Sequence, residues 1–155
     1  MKVQDIMTSY VQCCGPDTNL AAAAHMMWDS DCGALPVLNV EGKVLGMITD
    51  RDICMATATK NKPPSEITVW ETVSGKAYTC RMSDDVHTAM DIMKRERVRR
   101  LPVVDDEDVL QGVIAMNDFI LLAGETKGGK APAISCEDVA RTMKAISAHR
   151  ILAGI

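Results

Sequence analysis

Apolar and polar positions along this chain switch between two periods, and they do so twice in the same order. Leu20, Ala23, Ala24 and Met27 recur at i, i+3, i+4 and i+7, the stripe of a helix that buries one face, and Val86, Ala89, Met90 and Met93 do the same. Each stripe is followed by two β-rich runs. These are Ala34 to Val40 then Lys43 to Thr49, and Arg100 to Val104 then Val109 to Ala115. Turns at Glu41-Gly42 and Asp106-Glu107-Asp108 separate the runs, which suits either a hairpin or two adjacent strands. A second helix is expected from near Asp50 and from near Met116. Ahead of each first helix stand a short helical turn (Val3 to Met7; Val69 to Val73) and a brief strand (Val11 to Cys14; Ala77 to Cys80). Asp17 or Thr18, and Ser83 or Asp84, can cap the helices that follow, because their oxygens accept from orphan backbone N–H groups.

The two passages are copies. Leu35-Pro36-Val37 returns as Leu101-Pro102-Val103, Gly46-Met47-Ile48 as Gly112-Val113-Ile114, and Asp52-Ile53 as Asp118-Phe119, a constant step of 66 residues (35 to 101, 46 to 112, 52 to 118). The same step maps Cys14 onto Cys80. The chain therefore divides into copy one (1–59), a linker (60–66) with Pro63-Pro64, copy two (67–124) and a tail (125–155), each copy reading β-α-β-β-α. Gly124 to Pro132, with Gly128-Gly129, reads as a flexible connection. Ser135 can cap a last helix with Glu137 and Asp138 in its first turn. The short stripe Val139, Met143, Ile146 is expected to lie on the chain's own body, a partner surface being the alternative.

At 155 residues, 47% hydrophobic and 25% charged, the chain is globular in type. Two isolated cores of this size would be marginal, so the halves are expected to pack on each other around a shared core. A net charge of −4 with 3% aromatics excludes a general attraction to nucleic acid or base stacking. No run approaches the roughly 20 apolar residues of a membrane span, and a cytoplasmic protein is expected. The six cysteines (13, 14, 32, 54, 80 and 136) show no C-x-x-C spacing and read as small buried hydrophobes in a reducing compartment.

Gly33-Ala34-Leu35-Pro36-Val37 followed by Gly46-Met47-Ile48-Thr49-Asp50-Arg51-Asp52-Ile53 resembles the CBS domain, and so does the stretch from Val98 to Phe119 in copy two. Paired copies of this kind form a Bateman module. The resemblance covers about residues 1 to 124 and implies an α/β fold of two tandem motifs packed pseudo-symmetrically through their sheets, here with a C-terminal helix added. It also implies clefts for an adenosine-containing ligand such as AMP, ADP, ATP or S-adenosylmethionine. Family members usually pair into a flat homodimer through the second helices of each copy.

The family signature Ser/Thr-x-x-Asp is matched by Thr49 and Asp52. There the Asp takes both ribose hydroxyls and the Thr hydroxyl meets a phosphate. A carboxylate can hold a cis-diol by two charge-assisted hydrogen bonds, and a helix N-terminus favours phosphate. The same four residues also fit a capping box with Thr49 as N-cap and Asp52 reaching back. Copy two keeps Asp118 but has Ala115 in place of the hydroxyl. Lys94, Arg95, Arg97, Arg99 and Arg100 form a basic run at the positions held in copy one by Trp28, Asp29, Asp31, Gly33 and Ala34. Lys94, Arg95 and Arg97 read as a solvated helix end, while the resemblance puts Arg100 near ligand phosphates, work that suits a planar guanidinium. The adenine is expected against Ala34 and Pro36, its edge read by backbone from Val11 to Cys14.

Catalysis finds no support. His25, His87 and His149 share no metal-ligand spacing, and no nucleophile elbow, Gly-rich phosphate loop or dinucleotide fingerprint occurs. The expectation is a non-enzymatic regulatory module that needs no cofactor or metal and modulates a separate partner protein. The rival readings are a scaffold with empty pockets, or a thiol or metal sensor built on Cys13, Cys14 and Cys80.

Overall fold

The computed structural model describes residues 1–73, 76–124 and 131–148. A 3₁₀ turn at Val3–Asp5 leads to β1 (Thr8–Ser9), α1 (Leu20–Asp29), β2 (Ala34–Leu38), β3 (Val44–Thr49) and α2 (Asp50–Thr59). After a second 3₁₀ turn at Pro64–Glu66, inside the expected linker, come β4 (Cys80–Arg81), α3 (Val86–Glu96), β5 (Arg100–Val104), β6 (Leu110–Ala115), α4 (Met116–Leu122) and α5 (Cys136–Ser147). β2 and β3 pair as an antiparallel hairpin, Ala34 opposite Thr49 and Pro36 opposite Met47, while a four-stranded sheet runs in the order β1-β6-β5-β4. The fold class is mixed α/β with a C-terminal helix. Most of the expected connection, residues 125–130, lies outside the described residues, as does His149.

The repeat extends to individual hydrogen bonds. Val3 N donates to Asp84 O and Gln4 N to Met82 O; 66 residues on, Val69 N donates to Thr18 O and Trp70 N to Pro16 O. Val86 N meets Met1 O as Leu20 N meets Ile67 O. The hairpin turns match as well: Asn39 Oδ1 accepts from Glu41 N and Lys43 N, and Asp105 Oδ1 from Glu107 N and Val109 N. Both turns need one residue in the left-handed region, Gly42 at φ 79° and Asp108 at φ 64°.

These bonds cross between the linear copies. One compact unit gathers Met1–Thr8, Thr79–Val103 and the chain from Val113 onward; the other gathers Ser9–Tyr78 with Val104–Gly112. Each unit therefore contains the opening turn of the other copy. Buried apolar residues accordingly form two clusters instead of the single shared core expected. In the first unit, Val3, Val86, Met90, Met93, Leu101, Ile114 and Phe119 are enclosed; in the second, Leu20, Ala23, Leu35, Val37, Ile48, Ile67 and Val69. Each fully buried Leu, Ile, Met or Phe contributes about 1.5–3 kcal/mol.

Two local expectations are corrected. The caps are Asn19, whose side chain accepts from Ala22 N at 2.8 Å, and Asp85, accepting from His87 N at 2.9 Å. Their neighbours are engaged elsewhere, Thr18 Oγ1 by Gly15 N and Asp84 Oδ2 by Arg81 N. The expected strand from Val11 to Cys14 reduces to a single bridge between Cys14 and Val37. The tail helix α5 packs on α3 and α4, Val139, Met143 and Ile146 resting on the first unit's core. Ser135 caps it and forms a reciprocal box with Asp138.

Candidate functional site

The last strand of the second unit's hairpin runs straight into a helix, and the junction is closed by local chemistry. Asp50 N donates to Gly33 O at 3.1 Å, tying the start of α2 to the entry of β2. A side chain added at Gly33 would meet the Asp50 carboxylate at 2.9 Å, a close approach that rotation of that exposed carboxylate relieves. Thr49 is the N-cap: its Oγ1 accepts from Asp52 N at 3.2 Å and donates to Asp52 Oδ2 at 2.8 Å, while Thr49 N donates to the same Oδ2 at 2.9 Å. The capping box is therefore formed in full. It leaves Asp52 Oδ1 without a bond among the described residues, on a half-buried carboxylate, so one oxygen holds the helix and the other is available to a donor.

The remaining residues expected in copy one gather at this junction. Ala34 stands opposite Thr49 in the hairpin. Cys14 runs alongside β2, its N–H donating to Pro36 O at 3.0 Å and its carbonyl accepting from Leu38 N at 2.9 Å. Pro36 has no N–H to offer, so the seam is read through its carbonyl. Burial, with Cys13 adding to it, pushes the Cys14 thiol up to about 11. Side chains here supply shape, and polarity comes from backbone groups and Asp52.

The first unit carries a related but unequal arrangement. Met116 N donates to Arg99 O at 3.0 Å, the counterpart of the Asp50–Gly33 bond. Ala115 N donates to Asp118 Oδ2 at 2.7 Å, but Ala115 has no hydroxyl to return the bond or to cap α4. Burial pushes the Asp118 carboxyl above its ordinary range, and the Ala115 N–H opposes this only in part. Arg100, exposed at the start of β5, occupies the position that Ala34 holds in copy one. A cation thus replaces the methyl group where copy one offers an apolar surface. Lys94 pairs with Asp91 and Arg95 with Glu96, both at 2.6 Å, and Arg97 ends α3 in the left-handed region at φ 56°.

The thiol and histidine candidates separate from this chemistry. Cys80 is buried and its thiol is pushed up to about 12 by desolvation and the Asp84 charge, so neither it nor Cys14 is a ready thiolate at neutral pH. Among the described residues no three His, Cys, Asp or Glu side chains are grouped to hold a metal ion. His25 is exposed on α1. His87 bridges the two caps, 2.8 Å from Asp85 and 3.6 Å from Asp138, and so links α3 to α5.

One feature was not anticipated from the sequence. A cleft of about 380 Å³ opens between α1 and α2, and neither Thr49 nor Asp52 lines it. The signal for it lies in comparing copies for side-chain size, since Ala24 and Ile53 on its walls are replaced in copy two by Met90 and Phe119.

Two β-α-β-β-α copies, each with a carboxylate on the first turn of its second helix, define a tandem α/β repeat module as the class of protein. The sequence matches the CBS domain over residues 3–58 and 69–125, and the chain belongs to that family. It is 32% identical to the CBS domain-containing protein YhcV of Bacillus subtilis, covering 88% of this chain and 97% of that protein. It is also 32% identical to hypoxic response protein 1 of Mycobacterium tuberculosis, over 75% of this chain and 80% of that one. A crystal structure of Hypoxic Response Protein I with two coordinated zinc ions aligns at a TM-score of 0.73 and 29% identity, covering 80% of this chain and all of that one. The CBS domain pair of protein MJ0100, in complex with 5′-methylthioadenosine and S-adenosyl-L-methionine, aligns at a TM-score of 0.71 and 25% identity, covering 79% of this chain and 98% of that one. Among the described residues no helix is long and apolar enough to cross a membrane.

Proposed function

We propose that this chain is a regulatory module that binds an adenosine-containing ligand, AMP, ADP, ATP or S-adenosylmethionine, and modulates a separate partner protein. The observation that carries the reading is the free Oδ1 of Asp52, next to Thr49 and the Ala34–Pro36–Cys14 seam. A ribose diol on Oδ1, an adenine edge on the Cys14 backbone and a phosphate or sulfonium group toward the start of α2 use the junction's own chemistry. The ligands named for the MJ0100 pair are both adenosine derivatives, which supports this class. In copy two, Asp118 offers a ribose contact and Arg100 a phosphate contact. Binding acts by population shift, favouring whichever conformer of the module the ligand holds better, which the partner then reads. Six free cysteines are consistent with work in the cytoplasm.

The module works as a homodimer in this reading. Met55 on α2 and Leu121 on α4 are repeat equivalents and stand 50% and 83% exposed, an outlay of apolar surface that pairing would remove from water. Light scattering at tens of micromolar should give the dimer mass, and Met55→Glu with Leu121→Glu should give the monomer.

The ligand is tested by thermal shift with AMP, ADP, ATP, S-adenosylmethionine, NAD and zinc. A ligand at about 100 times its Kd adds roughly 2.7 kcal/mol, or about 5–10 °C in a chain of this size. An adenosine ligand should give that rise. A folded protein that responds to none of them at millimolar concentration would leave the interaction scaffold as the reading, which Ala115 favours and which Thr49, Asp52 and Arg100 oppose.

A further inference from the structure

The internal repeat supplies its own control for the cleft between α1 and α2. In copy two the equivalents of Ala24, Met27 and Ile53 are Met90, Met93 and Phe119, all buried. That helix pair is covered by α5, an amphipathic helix whose Val139, Met143 and Ile146 pack on the cluster. In copy one the matching helix pair carries smaller wall residues, an open cleft and, at its rim, Trp28 with 84% of its surface exposed. The same architecture is thus filled by a helix in one unit and left open in the other.

Charge states what kind of helix fits. The last turn of α3 carries Lys94 and Arg95, cations that suit the carbonyl end of a helix. The last turn of α1 has no basic residue and ends on Trp28 and Asp29, so its carbonyl end and a carboxylate add in sign. Asp31 and Asp50 line the cleft, and among the described residues no Lys, Arg or His does.

We propose that the α1–α2 cleft is the docking site for an amphipathic helix of a separate protein, one carrying Lys or Arg beside its apolar stripe. The inference rests on the regulatory reading only for the existence of a partner, and it gives that partner a seat. Met55 does not line the cleft, although its neighbours Ile53 and Cys54 on α2 do. Helix-in-groove recognition of this type uses anchors at i, i+4 and i+7, the spacing α5 already presents to the other unit.

The test uses the full chain with Trp70→Phe, which leaves Trp28 as the reporting indole. The probe is a synthetic peptide of residues 134–148 with Cys136→Ser, Glu137→Lys and Ala140→Lys; the control peptide carries Cys136→Ser alone. The basic peptide should shift Trp28 emission to the blue saturably. It should slow iodoacetamide alkylation of Cys32 and Cys54, which line the cleft, at least fivefold, and leave the exposed Cys136 of α5 unchanged. The control peptide should bind at least tenfold more weakly, and Asp31→Asn with Asp50→Asn should erase that difference. Trp28→Ala, an exposed position, should cost at least tenfold as read by cysteine protection. No change in emission or alkylation, or equal binding of the two peptides, overturns the proposal. Protection of Cys32 and Cys54 that rises with protein concentration in the absence of peptide also overturns it, because a second copy then fills the cleft. Titrations without nucleotide keep the readings separable: peptide binding without any nucleotide response leaves this site standing and removes the ligand reading, and the reverse result does the opposite.

Discussion

Replacing Asp52 by alanine removes one carboxylate with two roles, and the structure allows each to be assigned a size. On the folding side the variant loses two bonds to Oδ2, from Thr49 N at 2.9 Å and Thr49 Oγ1 at 2.8 Å. A net hydrogen bond at a half-exposed site is worth about 0.5–1.5 kcal/mol, and an acidic residue in the first turn of a helix adds about 0.3–1. Since Asp52 N still reaches Thr49 Oγ1, the loss should total about 1.3–4 kcal/mol, a fall in Tm of roughly 3–16 °C. On the binding side the ligand loses a charged acceptor for its ribose, about 1.5–3 kcal/mol, which is roughly a 10- to 150-fold rise in Kd. Asp52→Asn separates the two: it keeps an acceptor for Thr49 N and gives up the charge, so it should recover part of the stability and little of the affinity. Differential scanning calorimetry and titration calorimetry with AMP and S-adenosylmethionine read both quantities. If Asp52→Ala melts earlier but binds with unchanged Kd, the carboxylate is a cap and nothing more, and the site assignment fails.

Four further outcomes are expected. Arg100→Ala should raise the Kd for ATP or AMP at least tenfold while changing that for adenosine little, as measured by calorimetry; equal losses would show that Arg100 does not meet phosphate. Ala115→Thr restores the missing N-cap hydroxyl of α4, so it should add about 1 kcal/mol of stability and strengthen the weaker of two sites by about fivefold. The Asp118 carboxyl is raised by burial, so its charged form weakens the fold above the ordinary carboxylate range; Asp118→Asn should melt higher at pH 7, with the advantage vanishing as pH falls into that range. The Ser135 hydroxyl and N–H, and then His87, hold the Asp138 carboxyl below its ordinary value. The stability this lends α5 is present at neutral pH and lost as pH falls through the lowered value, and Asp138→Asn should make amide exchange in Val139 to Ile146 less acid-dependent.

The step of 66 residues carried most of the fold because it is a step in hydrogen bonding as well as in residue type. Thr49 and Asp52 were legible for a related reason: a capping box is a contact between neighbours in sequence. What stayed hidden depended on competition or on distance. Asp17, Thr18 and Asn19 are all able to cap α1, and only the bond from Gly15 N to Thr18 Oγ1 leaves the role to Asn19. The stretch from Val11 to Cys14 has strand-like composition, yet Pro36 has no N–H, and only Pro36 O and Leu38 N are bonded by Cys14. The cleft between α1 and α2 is a difference of volumes, visible only when Ala24 is set beside Met90 and Ile53 beside Phe119.

The crossing of the opening turns bears on how such a chain can be cut, shuffled or inherited. Residues 1–66 are one period of the repeat, but a fragment ending there would keep the Val3 turn without Asp84 and Met82 to receive it, and would leave Leu20 without the carbonyl of Ile67. A fragment beginning at Ile67 would carry the mirror defect. The genetic unit and the folding unit are therefore out of phase by about one turn of chain. Neither half is a cassette that recombination can lift out intact, and a deletion or fusion placed at the seam of the duplication damages both halves at once.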